Sequence, residues 1–143
     1  MPWRRKATRG ALRRLSGDML SACKAPHRTT TDASTPVVVS SISGSSLASA
    51  VSPGSYHSCA QMADGTALCW GYNGYYELGN DSTSSPYDTP QTVYDYAAGT
   101  SIAASEFGTC ATDATGAAWC WGYDYAAGLI YDTPQAVSTS FYP

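Results

Sequence analysis

Short stretches in which apolar and polar residues alternate, separated by turn-forming residues, are the main pattern after residue 30. Such stretches predict β-strands, because successive side chains of a strand point to opposite faces. In the best-defined unit, the predicted strands are 101–105, 108–113, 117–122 and 134–138. The region is also rich in Ser, Thr, Gly and Tyr, a composition typical of strands and turns. We therefore expect an all-β fold over residues 31–143.

The predicted strands belong to a repeat. Two landmarks recur 51 residues later in the chain: Cys59 as Cys110, and Trp70 as Trp121. Four short strands in a unit of about 50 residues describe one blade of a β-propeller. We predict repeats at approximately 48–94 and 99–138, with an extra strand at 34–40 that is the remnant of a still earlier copy.

Each repeat holds two cysteines ten positions apart around a short turn. A two-residue loop would place Cys59 opposite Trp70. A three-residue loop at 63–65, with glycine in the left-handed position, instead places Cys59 opposite Cys69. The Cα atoms of such a pair are about 4.5 Å apart, which is within the range of a disulfide.

The second copy has the same three-residue loop at 114–116, which pairs Cys110 with Cys120. We predict two local disulfides, granted an oxidising compartment. Small buried thiols in a sheet are the alternative interpretation. A zinc site is disfavoured, because a gap of nine residues is far from the usual spacing of cysteine ligands.

Charge is divided unequally along the chain. All eight Lys and Arg lie between Arg4 and Arg28, and residues 31–143 contain none of them but ten of the eleven acids. An acidic body without basic groups repels phosphate, so we expect no nucleic-acid binding by the repeat region. Residues 1–30 are predicted to be a basic arm, disordered, helical or targeting-like, that packs on nothing else in the chain. No segment is long and apolar enough to span a membrane.

One family resemblance is carried by residues 55–80, which read SYHSCAQMADGTALCWGYNGYYELGN. This stretch resembles the repeat of the regulator of chromosome condensation family, in the cysteine-containing form common in bacterial proteins. The matching positions are His57, Cys59, Ala60, Asp64, Gly65, Cys69, Trp70, Gly71, Asn73, Leu78 and Gly79. The second copy departs from the pattern, with Gly108 in place of the histidine and Asp124 in place of the asparagine.

The resemblance implies a partial β-propeller of about two four-stranded blades, whereas the family forms closed rings of seven. Each end of such a unit would expose a face that a neighbouring blade normally covers, and we expect Trp70 and Trp121 to lie on those faces. The chain is then a piece of a larger propeller, or it associates with further copies or further blades.

No constellation of catalytic residues is apparent. The chain has no lysine after Lys24, so the repeat region has no phosphate-binding loop with its lysine, and no metal-binding or dinucleotide motif is found. His57 is accompanied only by His27 and is expected to be a hydrogen-bonded structural residue. We therefore predict no catalytic residue, no cofactor and no metal, and thus no enzyme.

The resemblance implies a protein-binding module, because the family includes nucleotide-exchange factors of a small GTPase, a secreted inhibitor of β-lactamase and bacterial surface proteins. Tyrosines that follow the Trp-Gly strands are the candidate partner-binding residues: Tyr72, Tyr75, Tyr76, Tyr123 and Tyr125. Packing between blades is the alternative role for them. The expected location is extracellular or at the cell surface. The alternatives are a guanine-nucleotide exchange regulator of a small GTPase and a truncated gene product without function.

Overall fold

Eight strands form the described part of the chain. In a computed structural model, the described residues are Val39, Ile42 and 47–137. The strands are β1 (Ala48–Pro53), β2 (His57–Met62), β3 (Ala67–Gly71), β4 (Tyr87–Thr92), β5 (Gly99–Ala104), β6 (Gly108–Asp113), β7 (Ala118–Asp124) and β8 (Leu129–Ala136). They form two four-stranded antiparallel sheets in chain order, β1–β4 and β5–β8. The prediction of two four-stranded blades is confirmed. The predicted arm at 1–30 lies outside the described residues, as does the predicted strand at 34–40 except for Val39.

Both hairpins have the predicted register. Cys59 pairs with Cys69 and Cys110 with Cys120, and each pair forms a disulfide with a Cα–Cα distance of 4.1 Å. The three-residue turn requires a glycine with positive φ, and Gly65 has a φ of 88°.

An aspartate organises each of these turns. The carboxylate of Asp64 accepts hydrogen bonds from the backbone N–H and the hydroxyl of Thr66. In the second hairpin, the carboxylate of Asp113 accepts from Thr115 and also from the indole N–H of Trp119, at 2.9 Å. These hydrogen bonds to Thr115 and Trp119 lower the pKa of Asp113 to about 2. Turn chemistry and strand pairing therefore specify the same register.

The last strand begins earlier than the sequence suggested. The prediction placed it at 134–138, whereas β8 begins at Leu129. The reason is the shortened connection of the second copy, because Asp124 pairs directly with Leu129 across a tight turn. In the first copy a long loop separates β3 from β4. The segment YDTPQ occurs at 87–91 and again at 131–135, an interval of 44 residues instead of 51. The second copy is thus seven residues shorter at this point, and a hairpin replaces the loop.

The first sheet packs face to face against the second sheet. The Cys59 and Cys69 side of the first sheet forms one buried core with Ile102, Ala111 and Trp121 of the second. Trp121 is therefore buried between the blades, and the expectation that it lies on an exposed end face is wrong. The physical reason is alternation along β7, which turns Trp121 toward the first sheet and the neighbouring Cys120 away from it.

A second, smaller core covers the opposite side of the first sheet. Trp70 packs there with Ala60 and Met62, and Val39 and Ile42 lie against this cluster. Trp70 is only 5% exposed, so it is not on an open end face either. The open face is instead the side of the second sheet that carries Cys110, which is exposed, and Cys120, which is half-buried.

Candidate functional site

Six aromatic side chains from both blades form a continuous surface at one end of the sheets. We call this surface the aromatic platform; it comprises Tyr56, Tyr72, Tyr75, Phe107, Tyr123 and Tyr125. Neighbouring ring centroids are between 4.8 and 6.5 Å apart. Tyr56 and Tyr125 remain exposed, at 60% and 63%. Large rings are therefore held together while still facing solvent.

The contacts of the platform cross the boundary between the blades. Tyr75 of the first blade lies 5.1 Å from Phe107 and 5.7 Å from Tyr123, both in the second blade. Tyr56 also stacks on Phe107, with an interplanar angle of 22°. The platform consequently exists only when both blades are packed together.

The repeat explains why these rings meet. Tyr56 and Phe107 occupy equivalent positions 51 residues apart, as do Tyr72 and Tyr123. In each blade a backbone hydrogen bond of 2.9 Å joins the two positions: Tyr72 N–H donates to the Tyr56 carbonyl, and Tyr123 N–H to the Phe107 carbonyl. Each blade thus holds its own pair of rings, and stacking of the blades brings the pairs together.

The structure brings together four of the five tyrosines that the sequence singled out, namely Tyr72, Tyr75, Tyr123 and Tyr125. The fifth, Tyr76, is half-buried, and its ring takes no part in the ring contacts of the platform. Sequence reasoning missed Tyr56 and Phe107. Their common offset of 51 residues was the signal that could have found them.

Loop 73–79 carries Tyr75, and hydrogen bonds of two buried side chains, Asn73 and Glu77, hold its conformation. The Asn73 side-chain N–H group donates to the carbonyls of Ser82 and Ser84 at 2.9 and 3.2 Å, and its carbonyl oxygen accepts from Leu78 N–H. The carboxylate of Glu77 accepts a hydrogen bond of 2.9 Å from the backbone N–H of Tyr75. These hydrogen bonds fix the conformation of the loop, and the position of Tyr75 is fixed with it.

The same loop contacts the second blade. The carbonyl of Glu77 accepts from the indole N–H of Trp121 at 2.8 Å and from the hydroxyl of Thr109 at 3.0 Å. A Cβ atom at Gly79 would lie 2.7 Å from Cδ1 of Trp121, so a side chain there would push the blades apart. The residues that position the platform and those that join the blades thus belong to one loop.

His57 is part of this junction. Its Nε2 lies 2.8 Å from the Thr109 hydroxyl oxygen. Because that hydroxyl donates to the Glu77 carbonyl, it accepts from the Nε2–H group of His57. Burial lowers the pKa of His57 to about 4, and burial also raises the pKa of Glu77. The environment therefore keeps His57 neutral, as a structural residue across the interface.

Two carboxylates, those of Glu106 and Asp124, are adjacent in the chain to rings of the platform. Residues 47–137 contain nine Asp and Glu and no Lys or Arg. Glu106 precedes Phe107 in the chain, and Asp124 lies between Tyr123 and Tyr125. Desolvation, followed by the charge of Glu106, raises the pKa of Tyr125. The surface therefore combines exposed rings with an anionic setting.

Other classes of site find little support in the part of the chain that the structure describes. That part contains no group of three or more His, Cys, Asp or Glu placed to hold a metal ion. Among the same residues, no helix has the length and apolar character needed to cross a membrane.

With this geometry in place, the chain can be compared with known proteins. Residues 48–77 match the family model described as the regulator of chromosome condensation (RCC1) repeat. Residues 48–77 are thus similar to an RCC1 repeat. The match begins with β1 and ends within loop 73–79, so the RCC1 repeat includes the first disulfide hairpin. A comparison with the curated proteins found no match.

Several solved structures have a similar fold. Human WBSCR16 superposes with a TM-score of 0.57 at 19% identity, over 64% of this chain and 25% of that one. Yeast RCC1 (Prp20) bound to Kap60 gives a TM-score of 0.65 at 17% identity, over 86% of this chain and 32% of that one.

A further structure is that of Prp20p from Saccharomyces cerevisiae, described together with its binding properties to Gsp1p and histones. It also gives a TM-score of 0.65 at 17% identity, over 86% of this chain and 33% of that one. The chain thus spans about a quarter to a third of the length of these propellers. At these identities the likeness establishes the fold, which is that of the RCC1 propeller.

Proposed function

We propose that the protein is a non-enzymatic protein-binding module and that its binding surface is the aromatic platform. The observation that supports this proposal is a cluster of six contacting rings at the junction of two blades, four of them exposed and two half-buried. Tyrosine gives a large, rigid contact area that is apolar in its body and polar at its tip, at a low cost in conformational entropy. Surfaces that bind other proteins are enriched in such residues.

The position of the platform also favours this function. Its rings lie on loops and strand ends, and the sheets beneath are held by disulfides, by the Trp121 contact and by loop 73–79. Binding residues are commonly placed on connections that a rigid scaffold positions. A partner would thus meet a surface that is already arranged and would lose little affinity to ordering it.

The proposal includes a secreted or surface location, because two disulfides persist in an oxidising compartment. It follows that the four paired cysteines should be oxidised in protein purified without reductant. Regulation of a small GTPase in the cytosol would require these hairpins to function with reduced thiols. A thiol count on the purified protein therefore separates the two functions.

The binding surface is tested by affinity capture with matched variants. Wild type, Tyr56→Ser/Tyr125→Ser and Tyr94→Ser would be immobilised and exposed to proteins from the native host; Tyr94 is an exposed tyrosine outside the platform. A protein held by wild type and by Tyr94→Ser, but lost from the platform variant, would then be purified and titrated directly. We expect at least a tenfold weaker affinity for the platform variant.

The contrary result is also well defined. A partner whose affinity is the same for wild type and for the platform variant would bind elsewhere, and the proposed surface would be wrong. Near-ultraviolet circular dichroism of the variants checks that the rings that were not replaced keep their packing.

A further inference from the structure

The strongest charge contrast of this protein lies between the described residues, which include the platform, and the arm. The described residues carry nine acids and no Lys or Arg, and the arm carries every Lys and Arg of the chain. Residues 4–14 alone contain five arginines and one lysine. The platform is the one place where exposed rings have come together in this anionic setting among the residues that the structure describes.

Arginine suits such a surface better than other side chains do. Its planar guanidinium stacks on tyrosine and phenylalanine rings and is only weakly hydrated, while its N–H groups match a carboxylate. The platform offers rings and, next to Phe107, the exposed carboxylate of Glu106. It has no basic group of its own to compete for the rings. Nucleic acid, which also stacks on aromatic residues, is disfavoured because nothing here neutralises its phosphates.

We propose that residues 4–14 of the arm bind the aromatic platform of the same molecule. The chain is long enough for this contact. Val39 packs against the cluster that contains Trp70, two residues before Tyr72 of the platform. Arg14 and Val39 are separated by 24 residues, and an unstructured chain of that length has a root-mean-square span of roughly 25 to 30 Å. The sequence alone had suggested that the arm packs on nothing, since the convergence of rings from two blades was not visible in it.

This contact would regulate the proposed function. The arm covers the rings that a partner needs, so the partner must displace it, and a basic segment on the partner would compete directly with the arm. The inference concerns the surface named under the proposed function, but it can be tested without any external partner. A negative result for the contact of the arm would therefore not contradict the proposed binding function, and the reverse also holds.

Trypsin gives a direct test on the full-length protein. It cleaves after Lys and Arg, so on this chain it can cut only between Arg4 and Arg28. Initial cleavage rates would be measured by mass spectrometry after Arg9 and Arg14, with Arg28 as the internal reference outside the proposed contact. We expect cleavage after Arg9 and Arg14 to be at least fivefold slower, relative to Arg28, than in a synthetic peptide of residues 1–30.

Three variants identify the contact. Tyr56→Ser/Tyr125→Ser should abolish the protection, Glu106→Gln should reduce it, and Tyr94→Ser should leave it unchanged. Replacing the five arginines of residues 4–14 with lysine keeps the charge and the trypsin sites. This replacement should weaken the protection if guanidinium stacking supports the contact.

Several outcomes would overturn the proposal. One is a relative cleavage rate equal to that of the free peptide. Another is protection that persists in both Tyr56→Ser/Tyr125→Ser and Glu106→Gln, which would place the arm on a different surface. Protection that disappears on dilution would show that the arm comes from a second copy. Equal protection with lysine would show only diffuse attraction between opposite charges.

Discussion

At the scale of single residues, the hydroxyl group of Thr109 joins the two blades at their centre. It donates to the Glu77 carbonyl and accepts from His57, so both hydrogen bonds cross between blades. The equivalent position in the first blade is Ser58, 51 residues earlier. A small residue with a hydroxyl group therefore recurs at this position of the repeat. In the second blade, its hydrogen bonds join the two blades.

His57 makes stability dependent on pH in a defined direction. Its pKa is about 4 in the folded protein and 6.5 when unfolded, so the unfolded chain binds more protons between these values. The free energy of unfolding should fall by about 3 kcal/mol as the pH drops through this window. Glu77 acts oppositely, because its raised pKa gives the folded state the extra proton as the pH falls.

Urea unfolding at a series of pH values tests this prediction, with His57→Gln as the matched variant. Glutamine can still donate to Thr109 but does not titrate. The loss of stability between pH 6.5 and 4 should be smaller in the variant than in wild type. Parallel profiles would show that His57 is not held neutral by the fold.

The sequence predicted the structural role of His57 but not its partner. His57 was expected to be a hydrogen-bonded structural histidine, and it is. Its partner Thr109 could not be named, because the contact joins residues 52 positions apart through the packing of two sheets. Local patterns specify pairing within a hairpin, whereas contacts between sheets depend on how the sheets are stacked.

At the scale of elements, the disulfides of the two hairpins close loops of the same length but differ in burial. Each disulfide joins cysteines ten residues apart. Cys59 and Cys69 are fully buried between the blades, whereas Cys110 is exposed. Loop entropy therefore contributes equally to the two disulfides, and burial is what distinguishes them.

Removing each disulfide in turn separates the contribution of loop entropy to stability from the contribution of burial. Loss of either cross-link should cost about 3 kcal/mol through the entropy of an eleven-residue loop in the unfolded chain. Cys59→Ala/Cys69→Ala should cost at least about 1 kcal/mol more than Cys110→Ala/Cys120→Ala, because it also leaves a cavity in a closed core. Chemical unfolding of both double variants measures the difference. An equal or smaller loss for the buried pair would contradict the packing of the blades.

The register of the hairpins was predictable, and the extent of the last strand was not. Glycine at the third position of each turn, together with cysteines ten apart, restricts the pairing to one register. The start of β8 at Leu129 depends on the shortened connection after Asp124. A polar turn that has lost residues can remain a loop or become a hairpin, and composition does not distinguish these outcomes.

At the scale of the whole molecule, one large sheet face has no neighbour among the residues that the structure describes. It is the Cys110 and Cys120 side of the second sheet, which borders an open groove of about 560 Å³. In the first sheet, the equivalent side is covered by the second blade. Repeated units bury their apolar faces against neighbours, so this face favours association with a further blade.

We expect the full-length chain to self-associate in a concentration-dependent manner through this face. Val137 lines the groove and is 47% exposed, so Val137→Asp should shift the sedimentation coefficient toward the monomer. Thr83→Asp adds the same charge on an exposed loop elsewhere and should have no effect. A wild-type protein that stays monomeric up to high concentration, with a cooperative melt, would show that two blades suffice.

Two blades pack through Trp121 and thereby create one aromatic platform. The most direct measurement is a nuclear Overhauser experiment on selectively labelled full-length protein, between the ring protons of Tyr75 and Phe107. Their centroids are 5.1 Å apart, so a cross-peak is predicted, together with slow exchange of the Trp121 indole N–H. If cross-peaks are present within each hairpin but absent between Tyr75 and Phe107, the blades do not form a common surface and the aromatic platform does not exist.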